Sequence, residues 1–110
     1  MAYDEELADR IRELVQDESG LTEKKMFGGL AFLIGGHMAV AAAGHGGLMV
    51  RSDPAKADDI VDDVVISRME MRGRPMGGWL RVTEEALADE AILRRWVDHG
   101  VTYARSLPPK

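Results

Sequence analysis

The sequence predicts an α+β domain of two layers, with helices on one face of an antiparallel sheet in the order α-β-β-β-α-β-β-α(α). Three observations predict it. Between Met26 and Val50 the chain runs for twenty-five residues without a charge, although 30% of all residues are charged. Seven glycines, at Gly28-Gly29, Gly35-Gly36 and Gly44 with Gly46-Gly47, cut that run into apolar pieces of strand length. Flanking segments carry apolar residues at helical spacing, while residues 67–82 alternate as a strand pair does. As one helix the neutral run would measure roughly 37 Å, enough to cross a bilayer. Glycine pairs between β-rich runs instead signal hairpins, because primed turns need positive φ.

The elements follow in order. Tyr3, Leu7, Ile11, Leu14 and Val15 line one face of a first helix, with Asp4, Glu5 and Glu6 at its positive end and Ser19-Gly20 as a stop. Strand one starts near Thr22 and continues through Leu30 to Ile34, with Gly28-Gly29 read as a bulge and not a reversal. Gly35-Gly36 turns the chain, Met38 to Ala43 returns, and Gly44 to Gly47 turns it again before Leu48 to Arg51. Ser52-Asp53-Pro54 starts a second helix, since Asp53 can accept from free amides and Pro54 suits the first helical position. Ala57, Ile60, Val61 and Val64 form its buried stripe. Ser67 to Arg72 and Trp79 to Val82 make a second hairpin around a Gly73–Gly78 turn. Thr83 and Asp89 are caps, and Leu93, Trp96, Val97, Val101 and Ala104 give a terminal helix its apolar face. Gly100 inside that face predicts a close contact, since glycine costs about 1 kcal/mol there against alanine.

One hundred and ten residues make a single domain, 1–110, large enough for a core without staples. The absence of cysteine excludes disulfides, thiolate metal sites and cysteine nucleophiles. An acidic N-terminus with no apolar segment behind it argues against a signal peptide, and a cytoplasmic protein away from membranes is the expectation. Segments 1–21 and 52–66 carry twelve acids against three bases; the sheet segments 22–51 and 67–82 carry two acids against seven bases. Solvated helix faces and protected strand edges explain that split, and so does a weakly basic binding face. The net charge of −5 argues against tight, direct nucleic-acid binding, which needs clustered cations.

Alternation places Met69 and Met71 with Leu80 and Val82 beneath the helices, and Arg68, Glu70 and Arg72 with Trp79 and Arg81 on the opposite face. A tryptophan among arginines suits either cation–π packing on the surface or an anchor for a partner. In the earlier strands both faces are apolar, so something covers the second one: the chain's own terminal segment, a second copy, or a foreign partner.

Catalytic patterns are missing. His37 and His45 sit at glycine turns without carboxylates nearby and read as turn histidines, and His99 suits the negative end of the last helix. Asp58, Asp59, Asp62 and Asp63 read as a solvated face, because a calcium loop needs a central glycine. No phosphate loop, complete dinucleotide fingerprint or nucleophile elbow is present. No catalytic residue, metal site or cofactor is expected.

Thr22-Glu23-Lys24-Lys25-Met26-Phe27-Gly28-Gly29, then Met69-Glu70-Met71-Arg72-Gly73-Arg74-Pro75-Met76 with Trp79, and finally Trp96-Val97 with Tyr103 to Pro108 resemble the N-terminal domain of the TfoX/Sxy family. The resemblance implies a two-layer fold similar to type III secretion chaperones, and a setting in bacterial competence and transcription co-regulation. Competence regulators of this family carry a second, C-terminal domain, and this sequence ends at Lys110 after the first. The resemblance implies no catalytic residues. The expectation is a non-enzymatic regulatory domain working by protein–protein contact, with a homodimer among its forms. Its candidate surface is Lys24, Lys25, Arg68, Arg72, Arg74, Met76, Trp79 and Arg81. The rivals are a nucleic-acid module using the same arginines and a small-ligand site or enzyme near His37 or His99.

Overall fold

The computed structural model describes residues 4–26, 28–44, 46–53, 66–71 and 74–108, with Met26, 67–71 and 74–77 described by backbone alone. Helix α1 (Glu5–Val15) begins where Asp4 accepts from the amides of Glu6 at 3.0 Å and Leu7 at 3.2 Å. Its apolar spacing buries Leu7, Ala8, Ile11 and Val15 on one side. Six strands follow: β1 (Leu21–Met26), β2 (Gly29–Ile34), β3 (His37–Ala42), β4 (Leu48–Arg51), β5 (Ile66–Met71) and β6 (Arg74–Val82). They form one sheet in the order β1-β2-β3-β4-β6-β5, and every pairing is antiparallel. After a short 3-10 turn at Ala86–Ala88, Asp89 caps helix α2 (Glu90–Ser106) by accepting from the Ala91 amide at 2.9 Å. Thr83 Oγ1 accepts from Ala86 just before it.

The α+β class and the glycine-cut sheet are as the sequence predicts, but two turns differ. Gly28-Gly29 is a complete reversal: Met26 pairs with Gly29, so the expected first strand is two strands of a hairpin. Both glycines are needed for different reasons. Gly28 sits at φ 75°, which L side chains rarely adopt, and a Cβ on Gly29 would collide with the carbonyl oxygen of Ala42. The second hairpin is also tighter than expected. Strand β6 starts at Arg74, so Arg74, Pro75 and Met76 are strand residues and not a turn. Pro75 is tolerated because β4 pairs with β6 only over Trp79–Val82, leaving Pro75 a ladder on one side alone. The predicted second helix, from Pro54 through Ala57, Ile60, Val61 and Val64, lies outside the described residues.

The main core lies between the helices and the sheet, where Ile11, Val15, Leu93 and Val97 meet Phe32, Val40, Val50 and Leu80, all essentially buried. Each such side chain contributes about 1.5–3 kcal/mol relative to exposure. Helix α2 lies across β3 and β4. It can do so because a Cβ at Gly100 would strike the Ala39 carbonyl, the close contact that glycine predicts. Ala39 is the extra residue of a bulge: Phe32 pairs with Val40 and Leu33 with Met38. Arg12 ties α1 to β1 by donating from Nε and Nη2 to the two Glu23 oxygens, each at 2.9 Å. That fork holds the Glu23 carboxyl below the usual range and raises the guanidinium of Arg12.

The centre of the opposite face is buried as well, while Lys24 and Arg81 at its margins are exposed. Ala31, Met38, Ala41 and Met49 form a second cluster, each at most 7% exposed in the single chain, with Leu33 and Trp79 packed against it. A second copy is therefore not needed to cover this face. The sequence expectation that something covers this face holds at these four positions, and there the cover is the chain itself.

Candidate functional site

Of the eight residues predicted as one surface, the described ones do not all share a face. Lys24 and Lys25 are exposed on edge strand β1, opposite Ala31 and Leu30 respectively, so they belong to different faces of the sheet. Lys24 shares the face of Trp79 but is four strands away, roughly 19 Å at about 4.8 Å per strand. The register sets Arg68 opposite Leu80, Ser67 opposite Arg81 and Ile66 opposite Val82. A shift in pairing between Arg68 and Glu70 then sets Glu70 opposite Pro75 and Met71 opposite Arg74. The expected pairing of Met69 and Met71 with Leu80 and Val82 is thus replaced, and Arg68 is out of line with Trp79. Arg74 and Met76 are placed by backbone alone in β6, and Arg72 is outside the described residues. Trp79 and Arg81 do come together, two residues apart on the second face.

The cation over Trp79 is Arg51, which the sequence reading did not single out. Strand β4 ends at Arg51 in register with Trp79, and the guanidinium lies 4.8 Å from the centre of the indole. The same guanidinium lies 5.8 Å from the Tyr103 ring of α2, so it links sheet and helix at that end of the fold. Nothing in the sequence signals this, because the pairing of β4 with β6 spans a long intervening segment. Arg81 is exposed opposite Met49, and among the described residues its Nη2 makes a 3.4 Å contact to the Gly46 carbonyl.

Beyond Arg51 the chain passes under α2. Ser52 is fully buried: its amide donates to the Gly78 carbonyl at 2.7 Å, and its Oγ is hydrogen-bonded to His99 Nε2 at 2.8 Å. His99 stands edge-on to Trp96, with ring centres 5.3 Å apart at 65°. It is mid-helix and not at the negative end, since α2 continues to Ser106. Burial, and then the charge of Arg95, push its pKa below the usual histidine value. A cleft of about 520 Å³ opens beside this pair, walled by Trp96, Tyr103, Arg95 and Ser52. The other two histidines are apart from it in role. His37 opens β3 and donates from Nε2 to the Pro108 carbonyl at 2.6 Å, fastening the end of the chain. His45 lies outside the described residues.

The Ser52–His99 pair has the right elements for nucleophilic chemistry but the wrong accessibility. A serine nucleophile must reach a substrate carbon, and Ser52 has no exposed surface. The pair holds α2 to the end of β4, and the rest of the cleft is lined by the rings of Trp96 and Tyr103 with Arg95, Asp53 and Asp98 among its charged groups. That arrangement suits binding.

No curated protein and no solved structure matches the chain. The family model described as the TfoX N-terminal domain matches residues 13–104, which covers the end of α1, the six described strands and α2 up to Ala104. The chain belongs to the TfoX N-terminal domain family.

Proposed function

We propose that this chain is a non-enzymatic regulatory domain that works by protein–protein contact, through the second sheet face around Trp79. The observation that supports it is the corner where half-buried Trp79 carries the Arg51 guanidinium on its ring, with exposed Arg81 two residues away. Tryptophan and arginine are over-represented among interface residues whose loss costs most. Here stacking already fixes both side chains, so a partner would order little on binding. The nucleic-acid reading has less support, because the register removes Arg68 from this row and the chain carries a net charge of −5. A foreign protein is the favoured partner and a second copy the alternative. None of the helices is long and apolar enough to cross a membrane among the described residues, in keeping with a cytoplasmic setting.

The test is affinity capture from native lysate with the wild-type chain, Trp79→Ala and Arg81→Glu. The proposal expects a specific partner on the wild type and loss of it on both variants. Capture that survives both substitutions would remove the contact surface from this face.

A further inference from the structure

We propose that β1, an open edge of the sheet, takes an added strand from a partner protein: an extended segment carrying two acidic residues in succession. This site goes beyond the contact at Trp79, which lies four strands away. The sheet runs β1-β2-β3-β4-β6-β5, so it has two edges, and they are unlike. At β5 the register slips between Arg68 and Glu70, an irregularity of the kind that turns an edge away from new partners. At β1 all six residues, Leu21 to Met26, pair with β2 in unbroken register, and none is proline. That gives a straight edge about 20 Å long at roughly 3.4 Å per residue.

The ladder fixes which backbone groups this edge offers. The Gly35 amide donates to the Gly20 carbonyl at 3.1 Å, which makes Gly20 and Gly35 a hydrogen-bonded pair. Bonded and non-bonded pairs alternate along an antiparallel ladder, so Thr22 and Lys24 bond to Leu33 and Ala31. Leu21, Glu23 and Lys25 then turn their amides and carbonyls away from β2, and among the described residues nothing pairs with them. An incoming strand can use all of these groups.

The side chains decide the occupant. Thr22, Glu23, Lys24 and Lys25 are all exposed. Lys24 stands on the second sheet face and Lys25 on the helix face, and among the described residues neither has a carboxylate partner. On the helix side the carboxylates of Asp9 and Glu23 are both held by Arg12. Lysines on an edge deter pairing with like edges. Here they deter a second copy: antiparallel pairing about Glu23, Lys24 or Lys25 sets that residue opposite itself, like charge against like. The same two ammoniums favour a strand with acids at consecutive positions, one directed to each face. A nucleic acid would meet the charge but has no amide ladder to offer Glu23 and Lys25.

The probe is the peptide acetyl-Thr-Val-Glu-Asp-Val-Thr-amide, titrated into the full ¹⁵N-labelled chain and followed by amide shifts and hydrogen exchange. Its counterparts are the same peptide with two lysines for the acids, and the acidic peptide N-methylated throughout, which keeps its charge and loses its donors. Saturable binding of the unmodified acidic peptide is expected by about 10 mM, with shifts centred on β1. At roughly 90% occupancy the Leu21, Glu23 and Lys25 amides should exchange about tenfold more slowly, since only the free fraction stays open. Lys24→Glu combined with Lys25→Glu, both exposed changes, should weaken the acidic peptide by about tenfold and admit the lysine peptide, while the remaining spectrum reports an intact fold. Arg81→Glu should leave the titration unchanged, so that failure of the sheet-face contact and failure of this one are told apart. Equal binding of the lysine or N-methylated peptide, unslowed exchange at Glu23 and Lys25, shifts centred on Trp79, unchanged affinity in the doubly substituted chain, or no saturation by about 10 mM would overturn the assignment.

Discussion

At the scale of single residues, Gly100 and His99 decide how α2 sits on the sheet. Alanine is the better helix former by about 1 kcal/mol, so Gly100→Ala would stabilise an isolated helix. Here its Cβ would collide with the Ala39 carbonyl and lie 2.8 Å from Val40 Cγ1. Overpacking of this kind costs about 1–3 kcal/mol, and urea denaturation of Gly100→Ala should show a net loss of stability. A gain would mean that α2 does not rest on Ala39. His99 adds a pH dependence. Its folded pKa lies below the ordinary value of about 6.5, so between the two values the unfolded chain binds more protons and stability rises with pH. The contribution is complete above that ordinary value and is lost as the pH falls towards the depressed one. Melting temperature should therefore fall on acidification from neutral to about pH 5.5, and His99→Gln should flatten that fall. Equal slopes for both proteins would show that His99 is not buried.

At the scale of elements, the hairpins show which signals a sequence carries. Gly35 and Gly36, at φ 60° and 87°, form a two-residue turn between Ile34 and His37, and two glycines between apolar runs announce such a turn. Replacing Gly36 by alanine should cost about 1–2 kcal/mol, the price of a Cβ in left-handed backbone, measurable as a lowered denaturation midpoint. An unchanged midpoint would place the turn elsewhere. The β1–β2 reversal was harder to read. Gly28 stands there at φ 75°, while Gly29 already belongs to a strand and is glycine only because Ala42 lies against it. Pairing between β4 and β6 is non-local, and without it the row of Arg51 and Trp79 cannot be known, while the opposition of Arg68 and Leu80 is set by a register shift within the β5–β6 hairpin that alternation alone does not reveal. The caps and apolar stripes of α1 and α2 are local and were legible. The Ser52–His99 bond joins residues 47 apart and was not.

For the whole molecule, the burial of the apolar centre of the second sheet face changes what association has to explain. Ala31, Met38, Ala41 and Met49 are shielded within one chain, which removes the hydrophobic argument for a homodimer and leaves recognition to aromatic and cationic groups. Light scattering on the purified protein should give the one-chain mass of 12.1 kDa; twice that mass would make a second copy the partner. The central claim is that the Trp79–Arg51–Arg81 corner serves contact more than folding. Arg81→Glu tests it most directly, since Arg81 is exposed and, among the described residues, has one weak contact, to the Gly46 carbonyl. The decisive measurement is capture of the native partner by Arg81→Glu, with thermal unfolding followed in parallel. The account predicts lost capture at an unchanged melting temperature. Retained capture, or a loss that accompanies unfolding, would contradict it.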